Sequence, residues 1–187
     1  MDNFAPPAII DDVKIGRASV DDADDYVKYM NTIGGESEFL AFGAGEYSRN
    51  QQQTAQLIDE ISSSENQLFL IARHKGQIVG ALMLQASPKP RLRHRAELSV
   101  TVRRSFWSKG LATVLCQQGL QIFVAAKVVL KVELQVRQDH HRAVDLYRRL
   151  GFQEEGRISA GLITNGRAHD ILLMSKHLHQ AGEGGFK

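Results

Sequence analysis

The stretch Leu98-Ser99-Val100-Thr101-Val102-Arg103-Arg104-Ser105-Phe106-Trp107-Ser108-Lys109-Gly110-Leu111-Ala112-Thr113 decides how this chain is read. From Leu98 to Val102 apolar and polar residues alternate, the two-residue period of a strand. From Leu111 the apolar positions Leu111, Val114, Leu115 and Ile122 recur at helical spacing. A tight turn with Ser108, Gly110 and the small Ala112 joins the two. Gly110 has no Cβ, so backbone there can approach a ligand closely. The first N–H groups of a helix lack internal partners and carry the positive end of its dipole. Such a turn suits a phosphate or pyrophosphate, and Lys109, Arg103 and Arg104 would add positive charge. Taken alone, it is equally an ordinary strand-to-helix connection.

Downstream, Val128 to Val136 is rich in Val and Leu and reads as a strand. Asp139 to Leu150 reads as a helix with Ala143, Leu146, Tyr147 and Leu150 on one face, Asp139 as its N-cap and Gly151 as its stop. Phe152 opens a further strand. Asn165-Gly166 marks a hairpin turn before Ile171-Leu172-Leu173-Met174. Upstream, Val13–Arg17 reads as a first strand and about Asp21 to Met30 as a helix. Thr32 to Tyr47, with four glycines and no clean period, reads as a loop: a specificity segment, or a surface connection whose Phe39 and Phe42 plug the core. Gln52 to Ser62 reads as a second helix. Leu68–Ala72 and Ile78–Leu84 form a hairpin about His74-Lys75-Gly76-Gln77. The element order is β-α-α-β-β-β-α-β-α-β-β. A hairpin-built half meets crossover units, which predicts a mixed sheet in an α+β (mixed α/β) fold.

A chain of 187 residues is enough for one domain with a real core. Lys+Arg 23 against Asp+Glu 21 lacks the basic surplus of a nucleic-acid binder; the arginines of 91–95 and 103–104 are the only support for that class. The single Cys116 excludes an internal disulfide framework and reads as a small core residue. No stretch is apolar for long enough to span a bilayer. The N-terminus has no basic and apolar signal pattern, so cytoplasmic residence is the expectation.

The stretch Leu134-Gln135-Val136-Arg137-Gln138-Asp139-His140-His141-Arg142-Ala143-Val144-Asp145-Leu146-Tyr147-Arg148-Arg149-Leu150-Gly151-Phe152 resembles motif B of the GNAT superfamily, the Gcn5-related N-acetyltransferases. The family pattern is Leu-x-Val-x-x-x-Asn-x-x-Ala-x-x-Leu-Tyr-x-x-x-Gly-Phe. Only its Asn departs, with His140 in its place. Trp107-Ser108-Lys109-Gly110-Leu111-Ala112 is similar to motif A, where Gly110 and Ala112 fit and Trp107 replaces the usual Gln or Arg. The resemblance runs from about Val13 to Leu178. It implies a GNAT acyl-CoA acyltransferase fold: a central mixed sheet with helices on both faces, splayed between the fourth and fifth strands. One domain over 13–178 would lie between a lead-in at 1–12 and a tail at 179–187.

The resemblance also implies acetyl-CoA as donor, with its pyrophosphate on the amides of Trp107, Ser108, Lys109, Gly110, Leu111, Ala112 and Thr113. Its pantetheine arm would lie along Val100, Thr101 and Val102, near His140 and Ala143. An open strand edge offers N–H and C=O groups that the arm's amides can use. Tyr147 inherits the role of general acid toward the departing thiolate; by the residues alone it is a core aromatic. Glu97 is the leading base, with a structural or surface carboxylate as the alternative. Weaker base candidates are His94, Glu133, Glu36, Glu38 and Glu46; Gln135 stands where some N-terminal acetyltransferases carry a Glu base, but as an amide it cannot serve as one. His169 and Asp170 sit beside the acceptor or in an exposed strand pair. Adjacent His140-His141 do not share a helix face, so no metal is expected. The expected function is direct N-acetyl transfer to a primary amine of a small molecule, with a protein or peptide N-terminus as the alternative acceptor. A non-catalytic acyl-CoA sensor is the reading from another class. No nucleic acid and no membrane partner is expected; a homodimer stays open.

Overall fold

A computed structural model describes residues 12–178. The expected 179–187 tail, and the expected lead-in apart from Asp12, lie outside the described residues. Seven strands, β1 (Val13–Arg17), β2 (Leu68–His74), β3 (Gln77–Ala86), β4 (Arg95–Val102), β5 (Lys131–Arg137), β6 (Gln153–Thr164) and β7 (Arg167–His177), alternate with four helices, α1 (Ala23–Glu36), α2 (Gln51–Ser62), α3 (Leu111–Ala126) and α4 (His141–Arg149), in the predicted order. They form one sheet ordered β1-β2-β3-β4-β5-β7-β6. Only β4 and β5 run parallel; every other neighbouring pair is antiparallel.

Alternation along the strands builds a core on each face. Leu68, Leu70 and Ala72 of β2 pack with Leu115, Cys116 and Leu120 of α3 and Leu146 of α4. Phe69 and Ile71 pack the other way, with Tyr26, Tyr29, Met30 and Ile33 of α1 and Ile58 and Ile61 of α2. Because β2 is covered on both sides, it reads as a continuous apolar run. Each fully buried Leu or Ile contributes roughly 1.5–3 kcal/mol of transfer free energy. Gly119 lets α3 settle onto the sheet, since a Cβ there would lie 2.8 Å from Leu82 Cδ2. Two-residue turns close both long hairpins: Lys75-Gly76 (φ 49° and 82°) and Asn165-Gly166 (φ 52° and 73°).

Some boundaries differ from those predicted. α1 continues to Glu36 and absorbs Thr32–Glu36, read above as loop. Gly34 there is a contact, not a break, because a Cβ would collide with the Gly43 carbonyl. β5 begins at Lys131 rather than Val128, since α3 ends on left-handed Lys127 and the connection must first reach His94, whose carbonyl accepts from the Leu130 N–H at 2.8 Å and the Lys131 N–H at 3.1 Å.

β4 and β5 pair only at Arg95/Lys131, Ala96/Val132 and Glu97/Glu133. Beyond that, β4 stays on β3 as far as Val102, and β5 stays on β7 as far as Arg137. The two strands diverge, so a wedge opens through the sheet between Leu98–Val102 and 134–137.

Candidate active site

The wedge forms a cleft of about 680 Å³. Its walls include Glu97, Val100–Val102, Trp107, Ser108, Gly110–Thr113, His140, Ala143 and Tyr147, so all but one of the predicted site residues share one cavity. The exception is Lys109, which is exposed, with its ammonium 5.0 Å from the Phe106 ring centroid. A second concavity, about 580 Å³ at the distant β1 edge, is lined by Lys14, Gly16 and Arg73 and holds none of the predicted residues.

At one end of the cleft lies the turn into α3. Ser108 (φ 61°) and Gly110 (φ 84°) are both left-handed, and Gly110 is the N-cap. The first helical bond is donated by Val114 N–H to the Gly110 carbonyl at 3.1 Å. Leu111, Ala112 and Thr113 therefore keep N–H groups that no earlier turn can accept. The Trp107 indole N–H donates to the Val102 carbonyl at 2.7 Å and ties the turn back to the end of β4. Its ring faces the guanidinium groups of Arg142 at 5.4 Å and Arg104 at 5.7 Å. Arg103 is committed elsewhere: it binds Glu36 at 2.9 Å, and Glu36 also accepts the Arg104 N–H at 2.7 Å.

The opposite wall is the start of α4. Its N-cap is His140, not Asp139 as predicted. The His140 carbonyl accepts the Ala143 and Val144 N–H groups. Asp139 instead takes two N–H bonds from Arg137, at 2.9 and 2.7 Å, and lies 3.1 Å from His169 Nδ1. The two-point bond from Arg137 holds the Asp139 carboxyl down at about 2. Arg137 is 5% exposed and also donates to the Glu38 carbonyl at 2.6 Å. Phe39 lies 4.7 Å from its guanidinium carbon and stacks on the His140 ring. Burial, with the charges of Arg142 and Arg137, pushes His140 down to about 4.

Tyr147 lies on the inner face of α4, 7% exposed and packed against Phe152. Burial holds its phenol well above the ordinary tyrosine range. Burial also pushes the Cys116 thiol up to about 12, so it is not a thiolate at neutral pH. Glu97 alternates as predicted with Ser99 and Thr101; the Thr101 hydroxyl, bonded by Tyr29 of α1 at 3.0 Å, fixes that face as the α1 side. Glu97 and Tyr147 thus come from opposite faces of the sheet and meet one cavity only because the sheet is split between them.

The other base candidates are occupied or absent from the cleft wall. Glu133 lies 3.8 Å from both Arg95 and Lys131. Glu46 accepts the Gly43 N–H at 2.7 Å. Glu38 and His94 do not line the cleft; Gln135 does, but its side chain is an amide and not a base. Asp170 accepts from the Ala160 N–H at 2.9 Å, and His169 reaches the site only through Asp139. Residue patterns did not single out Leu40, Arg137, Arg142 or Arg149, and left Phe39 between a specificity segment and a core plug; all five line the cleft. Among the described residues no three His, Cys, Asp or Glu side chains gather as metal ligands, and no helix is long and apolar enough to cross a membrane.

Residues 36–152 match the sequence model of the acetyltransferase (GNAT) family. The chain belongs to that family. It is 27% identical over 107 residues to an L-amino acid N-acetyltransferase of Escherichia coli (strain K12), a match covering 57% of this chain and 66% of that relative. Its fold superposes on an acetyltransferase of the GNAT family from Streptococcus pneumoniae with a TM-score of 0.85 at 25% identity, covering 88% of this chain and 98% of the other. A protein from Salmonella typhimurium, solved with its cofactor acetyl-CoA, superposes with a TM-score of 0.79 over 92% of this chain and 97% of the other. At 14% identity that likeness shows the fold alone.

Proposed function

We propose that the protein transfers the acetyl group of acetyl-CoA directly to a primary amine of a small molecule. The observation that carries this is the early end of β4–β5 pairing at Glu97/Glu133, with a helix N-terminus at one end of the opening and, on its other side, a carboxylate that has no partner among the described residues. The diphosphate rests on the N–H groups at the start of α3, and the pantetheine arm runs along Val100–Val102, on the edge of β4 that no longer pairs with β5.

Chemistry follows from the split sheet. The amine enters from the α1 side, and Glu97 accepts its proton directly or through one water. The amine nitrogen then bonds to the thioester carbon. A β4 backbone N–H holds the oxyanion, a contribution typically of a few kcal/mol. The C–S bond breaks, and the Tyr147 hydroxyl donates its proton to the departing thiolate from the α4 side. A phenol held above its ordinary range keeps that proton until a strong acceptor touches it. With Cys116 buried and protonated, no acyl-enzyme is needed. A small acceptor is favoured over a peptide because Arg137 holds the 37–40 segment against the cleft, where Ser37, Phe39 and Leu40 line its wall.

Calorimetry with coenzyme A and a thiol-release assay with acetyl-CoA test the reading. Binding with amine-dependent release is expected. Absence of binding heat would overturn it, and binding without release to any amine or N-terminal peptide would favour the sensor.

A further inference from the structure

The α1 side of the cleft has a chemistry of its own. Its apolar wall is Ile33, Phe39 and Leu40. The charged groups beside that wall are Glu97, on the face that Tyr29 of α1 covers at Thr101, and Arg137 with Asp139 against Phe39; Arg142 and Arg149 line the cleft from α4. Arg137 is spent: its Nε and one terminal nitrogen bind Asp139, its other terminal nitrogen binds the Glu38 carbonyl, and Phe39 lies against its face. Asp139 is neutralised by the same pair. Glu97 has no ion pair or hydrogen bond among the described residues, and its sheet neighbours are Gln85 and Glu133.

We propose that the acceptor is a singly charged primary amine on a short apolar body, without a carboxylate, selected by Glu97 together with the Ile33–Phe39–Leu40 wall. The proposal rests on the acetyltransfer reading above and narrows its substrate class. An incoming ammonium meets one unopposed negative charge. A carboxylate on the same molecule meets that charge with like sign; the cation beside Phe39, Arg137, is already saturated in a planar two-point pair, and Arg142 lies over the Trp107 ring toward the α3 turn. A second ammonium gains nothing comparable, since Asp139 already carries Arg137. The apolar wall rewards hydrocarbon on the acceptor, by roughly tenfold or more in kcat/KM for each methylene that fits. Discrimination comes as much from what Glu97 repels as from what it attracts.

Matched acceptors isolate each element in a thiol-release assay with acetyl-CoA. 2-Phenylethylamine and L-phenylalanine differ by one carboxylate; L-phenylalaninamide restores its bulk without its charge. Butylamine and 1,4-diaminobutane differ by a second ammonium. The expected result is turnover of 2-phenylethylamine and the amide, with kcat/KM for L-phenylalanine lower by about tenfold or more and no gain for the diamine over butylamine. Glu97→Gln removes the proposed base, so turnover should fall for every acceptor; calorimetry on this variant should show a smaller difference in dissociation constant between the amide and the acid. L-phenylalanine used as well as 2-phenylethylamine, or the diamine preferred, overturns the proposal while leaving acetyl transfer intact. No turnover of 2-phenylethylamine with coenzyme A still bound overturns it too, whereas loss of coenzyme A binding is the separate failure of the acetyltransfer reading.

Discussion

The imidazole of His140 lies face to face with the phenyl ring of Phe39, their centroids 3.7 Å apart and their planes 5° from parallel. This one contact joins the start of α4 to the 37–40 segment across the cleft and helps to bury the histidine. Burial first, then Arg142 and Arg137, lowers His140 to about 4 from the ordinary 6.5, and a charged ring at a helix N-terminus is further disfavoured.

A pH dependence of stability follows. Between about pH 6.5 and 4 the unfolded chain binds a proton at His140 that the folded chain refuses, so stability rises with pH across this window. The contribution is complete above about 6.5 and is lost as pH falls toward 4, on the order of 2 kcal/mol or several degrees in Tm. Asp22, Asp139 and Glu155, all held below the usual carboxylate range, lose their contributions separately as pH falls below about 4. Thermal melts of the wild type and of His140→Asn from pH 7.5 to 4.5 separate the two effects. The variant should lose several degrees less over that range; an identical slope would remove His140 from the account.

Tyr147→Phe keeps the ring against Phe152 and removes only the hydroxyl. That hydroxyl has no hydrogen-bond partner among the described residues, so the melting temperature should change little. Turnover should fall by about 10²–10³-fold if the phenol supplies the leaving group's proton, with the coenzyme A dissociation constant unchanged within about twofold. Unchanged kcat would return Tyr147 to the core.

Much of this was legible in the sequence because local pattern and tertiary role agreed. Alternation through Leu98–Val102, helical spacing after Leu111 and the Asn165-Gly166 turn each dictate an element without help from distant residues. What escaped was set by partners remote in the chain. Gly34-Gly35 read as a break, yet Gly34 is where α1 and the Gly43 backbone touch. Asp139 looked like a cap, but Arg137 competes for its carboxylate, and a two-point guanidinium pair outweighs one bond to a helix N–H. Phe39 lies in a stretch without period, and only its contact with a histidine 101 positions later gives it a place.

Gly110 is left-handed, and a Cβ there would meet nothing within 4 Å, so the space beside it is open cleft. Gly110→Ala should cost roughly 1–2 kcal/mol of folding stability from the backbone alone. If that space seats the diphosphate, coenzyme A affinity should fall by about tenfold beyond this, since the added methyl blocks close approach. Calorimetry showing wild-type affinity in a folded variant would place the diphosphate elsewhere.

Trp107→Phe tests why an indole stands at this position. The variant loses the bond to the Val102 carbonyl and much of the surface that gathers Arg104 and Arg142. A net contribution of about 1 kcal/mol for the hydrogen bond translates to a few degrees in Tm. Coenzyme A binding should weaken several-fold and show a shallower dependence on salt, because two cations are no longer held toward the phosphate end. An unchanged salt slope would show that the arginines act independently of the ring.

Arg137 joins β5, the 37–40 segment and the α4 entry, so its removal should loosen the acceptor side and spare the cofactor side. Arg137→Met keeps an apolar stem beneath Phe39 but leaves Asp139 without its partner. Because the Asp139 side chain is 48% exposed and can rehydrate, the stability cost should be about 1–3 kcal/mol, below that of stranding a buried charge. The Michaelis constant for the amine should rise about tenfold or more, since a freed 37–40 segment no longer presents Phe39 and Leu40 as a wall. The coenzyme A dissociation constant and the saturating rate should move much less. Arg137→Lys should recover part of the stability but little of the amine affinity, because an ammonium cannot hold Asp139 at two points and the Glu38 carbonyl at once. Steady-state kinetics with each substrate varied in turn measures the split; equal losses for amine and coenzyme A would mean that Arg137 supports the whole cleft rather than its acceptor side.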